Sequence, residues 1–194
     1  MTTQSALLLR SLAHLVDLRG WRWALPAVLL LLALAAPLGV MAATRLSIPQ
    51  GALGNQVYNR NSGKCLDVAN GSIANNANVQ QFTCNGGTNQ NWRLTNPTIG
   101  EYTFVVNRNS GKCLDVASGS VADGANVQQF TCNGGMNQQW LFIPDGQGYY
   151  QVINRNSGKC LDVANGSIAN NANVQQFSCH GGMNQRWKWF PRNV

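Results

Sequence analysis

Beyond residue 44 no apolar pattern holds helical spacing for three turns. Apolar residues come instead in short runs, QVYN, KCLDV, VQQFTC and NWRL between Gln56 and Leu94. Runs of this length, rich in Val, Phe, Tyr and Trp, predict strands. NSG, NG and NGG stand between them and supply the positive-φ residues that tight turns need. Residues 1–44 are patterned differently: Ala24 to Val40 is a 17-residue stretch without a charge, flanked near its ends by Pro26 and Pro37. It is apolar all round, as a membrane segment is, rather than along one face like a surface helix.

The strand pattern repeats. NRNSGKCLDVANGSIANNANVQQF occurs at Asn59–Phe82 and again at Asn154–Phe177, and Asn107–Phe130 is a close copy that differs mainly at Ser118, Val121, Asp123 and Gly124. Each copy ends in Gln-x-Trp, at Trp92, Trp140 and Trp187. A fixed period of this size marks units that bury their apolar faces against one another. Three copies are too few for a propeller, which needs about four blades or more. The expectation is therefore all-β: a β-trefoil of three four-stranded repeats over about 52–97, 100–144 and 148–191, with the three Trp in a shared core.

The leader is read as a helix of the kind that starts export. Arg10, Arg19 and Arg22 precede the apolar stretch, Trp21 and Trp23 sit at its boundary, and Ala42 or Ala43 offers a small-residue cleavage position. Residues 1–44 thus form a signal peptide or, if uncleaved, a signal anchor. Either way the basic side stays inside and residues 45–194 are exported. Secreted or extracytoplasmic placement is expected, with membrane attachment only through an uncleaved N-terminal segment.

Six cysteines fall one pair per repeat, Cys65/Cys84, Cys113/Cys132 and Cys160/Cys179. Six allow fifteen pairings, of which the intra-repeat one is the simplest because it keeps the symmetry. Export puts them where disulfides persist. There is no C-x-x-C, and His14 and His180 are the only histidines, so no metal or other cofactor is expected.

The pairing also points to a site. If Cys65 faces Cys84 across antiparallel strands, counting inward sets Asp67 opposite Phe82, with Gln80 on the same face and Leu66, Val68 and Val79 turned to the core. Asp115 with Gln128 and Phe130, and Asp162 with Gln175 and Phe177, follow in the other copies. An ionised carboxylate accepts bonds from adjacent hydroxyls, amides both donate and accept, and a ring gives a platform to the C–H face of a sugar. The position of Asp inside CLDV, rather than in a turn, favours a ligand role over turn fastening.

Composition fits a surface that speaks through amides. Charged residues are 11%, against about 25% in an ordinary domain. The chain has 24 Asn and 15 Gln, nearly all beyond residue 44. The formal charge of +7 falls to +5 over residues 45–194, too modest to imply a nucleic-acid partner. Arg60/Lys64, Arg108/Lys112 and Arg155/Lys159 form a threefold basic ring, read chiefly as solvated turn charge.

GKCLDV, VQQFTCNGG and Gln-x-Trp, recurring in order, resemble the ricin-type β-trefoil lectins and related carbohydrate-binding modules over about residues 52–191. The resemblance implies one shallow sugar site per repeat, for galactosides or xylan-type glycans. It adds Asn89 and Gln90 to the first site, Asn137 and Gln138 to the second, and Asn184 and Gln185 to the third. By alternation Gln90 shares its side with core Trp92, which makes Asn89 the better ligand. Two departures stand out. All three copies carry Phe where the family usually has Trp, Tyr or His, and Gly54 replaces the Tyr found at Tyr102 and Tyr149.

The expected function is a non-enzymatic exported lectin whose partners are glycans or polysaccharide. Glycoside hydrolysis usually needs two facing carboxylates, and beyond the repeated Asp only Glu101, Asp123 and Asp145 remain after residue 44. The alternative is a trefoil protein-binding module, an adhesin or inhibitor with decayed sugar sites.

Overall fold

The computed structural model describes residues 45–51 and 54–191. The expected leader helix lies outside the described residues. Among those described, all regular structure is strand and short 3₁₀ turn, and no helix is long and apolar enough to cross a membrane.

Each repeat contributes four strands. The first holds β1 (Asn55–Asn59), β2 (Cys65–Val68), β3 (Ala77–Phe82) and β4 (Asn91–Leu94). The second holds β5 (Tyr102–Asn107), β6 (Cys113–Val116), β7 (Val127–Phe130) and β8 (Gln139–Pro144). The third holds β9 (Tyr150–Asn154), β10 (Cys160–Val163), β11 (Ala172–Phe177) and β12 (Trp187–Pro191). The outer strands of each repeat pair in the cycle β1, β4, β5, β8, β9, β12 and back to β1, closing a barrel. The inner strands form the hairpins β2–β3, β6–β7 and β10–β11. β3 also pairs with β7 and β11, so the hairpins meet around the pseudo-threefold axis. There Asn78 donates to Asn173 and Asn173 to Asn126, both at 3.0 Å. This is the β-trefoil that the repeats predict.

Closure leaves no edge for the apolar faces to escape to water. Val57, Leu66, Val68, Val79 and Leu94, with their counterparts, pack with fully buried Trp92, Trp140 and Trp187. A buried indole N–H needs an acceptor. Trp92 Nε1 finds the Leu66 carbonyl at 3.0 Å, Trp140 that of Leu114 at 3.0 Å, and Trp187 that of Leu161 at 2.9 Å. Each core Trp thereby grips the strand residue immediately before the repeated Asp.

The disulfides are intra-repeat: Cys65–Cys84, Cys113–Cys132 and Cys160–Cys179, each with Cα atoms 5.1 Å apart. They do not set the register as expected. Cys65 stands opposite Phe82, and Asp67 opposite Gln80. The chain leaves the ladder after Phe82, and Cys84 curls back to reach Cys65 from beyond the strand end. The expected pairing of Asp67 with Phe82 is thus displaced by two places. Because side chains alternate with period two, a shift of two keeps every residue on its predicted face. Asp115 and Asp162 likewise face Gln128 and Gln175, not Phe130 and Phe177.

Candidate functional site

The repeated Asp lies at the bottom of a cup. Leu66 and Val68 point into the core, which turns Asp67 to the other face of β2, where it is only 3% exposed. A buried carboxylate needs partners, and three amides provide them. Gln80 Nε2 donates to Oδ1 at 3.0 Å, while Asn89 Nδ2 and Gln90 Nε2 donate to Oδ2 at 2.8 and 2.9 Å. Asp115 is held by Gln128, Asn137 and Gln138 at 3.0, 2.8 and 2.9 Å. Asp162 is held by Gln175, Asn184 and Gln185 at 3.0, 2.7 and 3.0 Å. Burial pushes the Asp67 carboxyl above the usual carboxylate range, although the Gln90, Gln80 and Asn89 bonds pull the other way. Asp115 is raised for the same reason, against Gln138, Gln128 and Asn137.

The amides are not equivalent. Gln90 is fully buried: Nε2 also donates to the Thr83 carbonyl at 3.0 Å, and Oε1 accepts from the Asn85 N–H at 2.9 Å. Both its N–H donors and its oxygen are engaged in holding Asp67 and the NGG turn, and Gln138 and Gln185 are used alike. Asn89 is anchored by a second bond to the Val68 carbonyl at 3.0 Å, but it lines the cup together with Asp67 and Gln80. Each carboxylate oxygen has two lone pairs, so Oδ1, which takes one amide, keeps acceptor capacity. Phe82, two places from Gln80 on the same face, forms the wall, and its counterpart Phe177 is 36% exposed. The five predicted residues of each repeat therefore come together, as a floor (Asp, Gln80-type and Asn89-type residues), a wall (Phe) and a rear brace (Gln90-type).

The cups also contain residues that the repeat pattern did not single out. Asn70 and Asn165 line the first and third cups at positive φ, with Ser118 in the second. Asn171, from the third repeat, lines the first cup, and Asn76, from the first repeat, lines the second. The contribution of one repeat to the cup of another has no signature in a single repeat's sequence. The cups are open hollows of about 270, 410 and 310 Å³ in chain order.

The model of the ricin-type beta-trefoil lectin domain matches residues 54–187. The chain belongs to that family. Among solved structures, the lectin domain is similar to the designed threefold-symmetric protein ThreeFoil, at 47% identity and TM-score 0.69, over 71% of this chain and 98% of that one. It is also similar to the exo-beta-1,3-galactanase 1,3Gal43A from Clostridium thermocellum, at 43% identity and TM-score 0.68, over 71% of this chain. The match spans 30% of the galactanase chain. The Macrolepiota procera ricin B-like lectin, solved with lactose, shares the fold at 17% identity and TM-score 0.63, over 76% of this chain and all of that one. No curated protein matches the chain.

The basic ring of the lectin domain is more than solvated turn charge. Arg60 lies over the Tyr149 ring at 4.9 Å and Arg155 over Tyr102 at 5.1 Å, each clasping the opening of another repeat. At the third junction, a Cβ on Gly54 would come within 2.5 Å of Arg108 Cδ. Gly54 is the residue that leaves Arg108 room, and its φ of +89° also suits glycine.

Proposed function

We propose that this chain is an exported carbohydrate-binding protein with up to three shallow sugar sites, for galactosides or xylan-type glycans. One observation carries the reading: in every repeat a carboxylate, fixed by three amides, stands at the floor of an open cup beside a Phe ring. Membership of a lectin family and similarity to a galactanase over a fraction of that enzyme's length support it. Each cup is lined by one carboxylate, which three amides already engage, so no pair is present there to divide acid and nucleophile roles. Export follows from the Arg-flanked apolar stretch within residues 1–44 and accords with three disulfides, which fit an oxidising, non-cytoplasmic compartment. Shallow single sites bind weakly, but several on one body gain avidity of about 10²–10⁴ on a multivalent surface.

A glycan array probed with the oxidised protein tests this. Retention on galactoside or xylan-type spots is expected. Absence of glycan binding by a folded, oxidised sample overturns the lectin reading and favours a protein-binding trefoil.

A further inference from the structure

The three cups differ, and two of the differences meet in the third. Cups one and two each receive an amide from another repeat, Asn171 and Asn76, both at φ +64°. The equivalent turn of the second repeat brings Gly124 to cup three. A Cβ there would lie 3.8 Å from Gln175 Oε1, with nothing nearer, so the rim is open at that point. Where cups one and two have Asn85 and Asn133, cup three has His180, which is 47% exposed and meets Phe177 edge-on at 6.2 Å.

The ring's orientation is set locally. Nδ1 accepts from the Gly182 N–H at 3.1 Å, which places the proton of the neutral ring on Nε2. Nε2 lies 3.6 Å from Asp162 Oδ2, too long for a hydrogen bond, so its N–H is left for a ligand. Resting on the lectin reading, we infer that cup three is a sugar site of separate selectivity, in which His180 contacts the ligand and makes its occupancy pH-dependent. One sugar hydroxyl donates to Asp162 Oδ1, the oxygen that takes a single amide, and a second accepts from His180 Nε2. Protonation of the ring turns a second N–H against the Gly182 N–H and removes the bond that orients the ring. It also sets a cation beside the carboxylate that the sugar needs as acceptor. Neutral sugars therefore bind cup three less tightly when the ring is protonated than when it is neutral.

The surrounding charges are few. Asp162 on β10 is the carboxylate beside the ring. Arg186, ahead of β12, has its guanidinium 3.7 Å from where a Gly181 Cβ would stand. Asp123, from the second repeat, is bound to Ser178 and neutralised by Lys159 at 2.7 Å.

Lactose titrated into the oxidised full chain at about pH 8 and about pH 5.5 tests the inference, with the Asn89, Asn137 and Asn184 side-chain amide NMR signals reporting the cups one by one. The dissociation constant at cup three is expected to rise by about two- to fivefold more than at cups one and two, the worth of an exposed ion pair. His180→Asn should abolish the excess, and Asn85→His should install it in cup one. Equal response of all three cups, persistence of the excess in His180→Asn, or a cup three empty at both pH values overturns the inference alone. Silence of every cup at both pH values, towards a xylo-oligosaccharide as well as lactose, overturns the lectin reading and the inference together.

Discussion

Asp67 and Gln80 face each other directly across β2 and β3, and Gln80 Nε2 donates to Asp67 Oδ1 at 3.0 Å. This pair, not the disulfide, sets the geometry of the cup, and the same cross-strand bond recurs in all three repeats. Asp67→Ala removes the acceptor of three amides at once. Leaving buried donors unpaired costs about 1–3 kcal/mol each, so a lower urea midpoint should accompany loss of sugar at cup one. Urea denaturation beside a sugar titration checks both.

Gln81, next to Gln80, has the opposite task. Fully buried on the core side, it donates to the Ser167 and Ala169 carbonyls at 2.8 and 2.9 Å and accepts from Ser62 Oγ at 2.7 Å. Gln81→Ala should lower stability by about 1–3 kcal/mol by freeing a loop of the third repeat, while cup two keeps its affinity. Denaturant midpoints and binding at the Asn137 amide signal separate the effects.

Replacing Cys65 and Cys84 by Ser removes one crosslink of sequence separation 19. The chain-entropy model gives a cost of about 3 kcal/mol, with the other two disulfides intact. The shift of the unfolding midpoint under non-reducing conditions measures it.

The raised pKa of Asp67 and Asp115 has a definite sign. A carboxyl that holds its proton more tightly folded than unfolded adds stability as pH falls through the folded-state value, with the gain complete below the ordinary carboxyl value of 3.8. At neutral pH that contribution is absent. Sugar binding runs oppositely, because protonation removes the acceptor. Relative to an Asp67→Asn, Asp115→Asn variant, the parent should gain urea resistance as pH falls through the folded-state values towards about pH 3, while it loses sugar at cups one and two. A constant stability difference over that range would contradict the assignment.

Much of this was legible in the chain. Three copies with Gln-x-Trp predict the trefoil and its Trp core, and period-two alternation places Asp67, Gln80 and Phe82 on one face. The register was not legible, because a disulfide can join residues beyond a ladder's end as readily as within it. The two Gln of VQQF look alike in sequence, yet alternation sends Gln80 to the cup and Gln81 to a neighbouring loop. Gln90 joins the site only as a brace, as its shared side with Trp92 foreshadowed. The changes of the second copy at Asp123 and Gly124 look remote from any site within their own repeat. They border cup three because the trefoil wraps each repeat's loop onto another, a relation that only closure creates.

The most direct test is a calorimetric titration of lactose and a xylo-oligosaccharide into the oxidised protein, its Phe82→Ala, Phe130→Ala and Phe177→Ala variants, and the triple variant. These rings are partly exposed walls, so their removal spares the buried Asp networks. The account predicts saturable binding by one of these sugars that weakens with each ring removed and vanishes in the triple variant. Binding unchanged in the folded triple variant, or absent from the folded, oxidised parent, would contradict it.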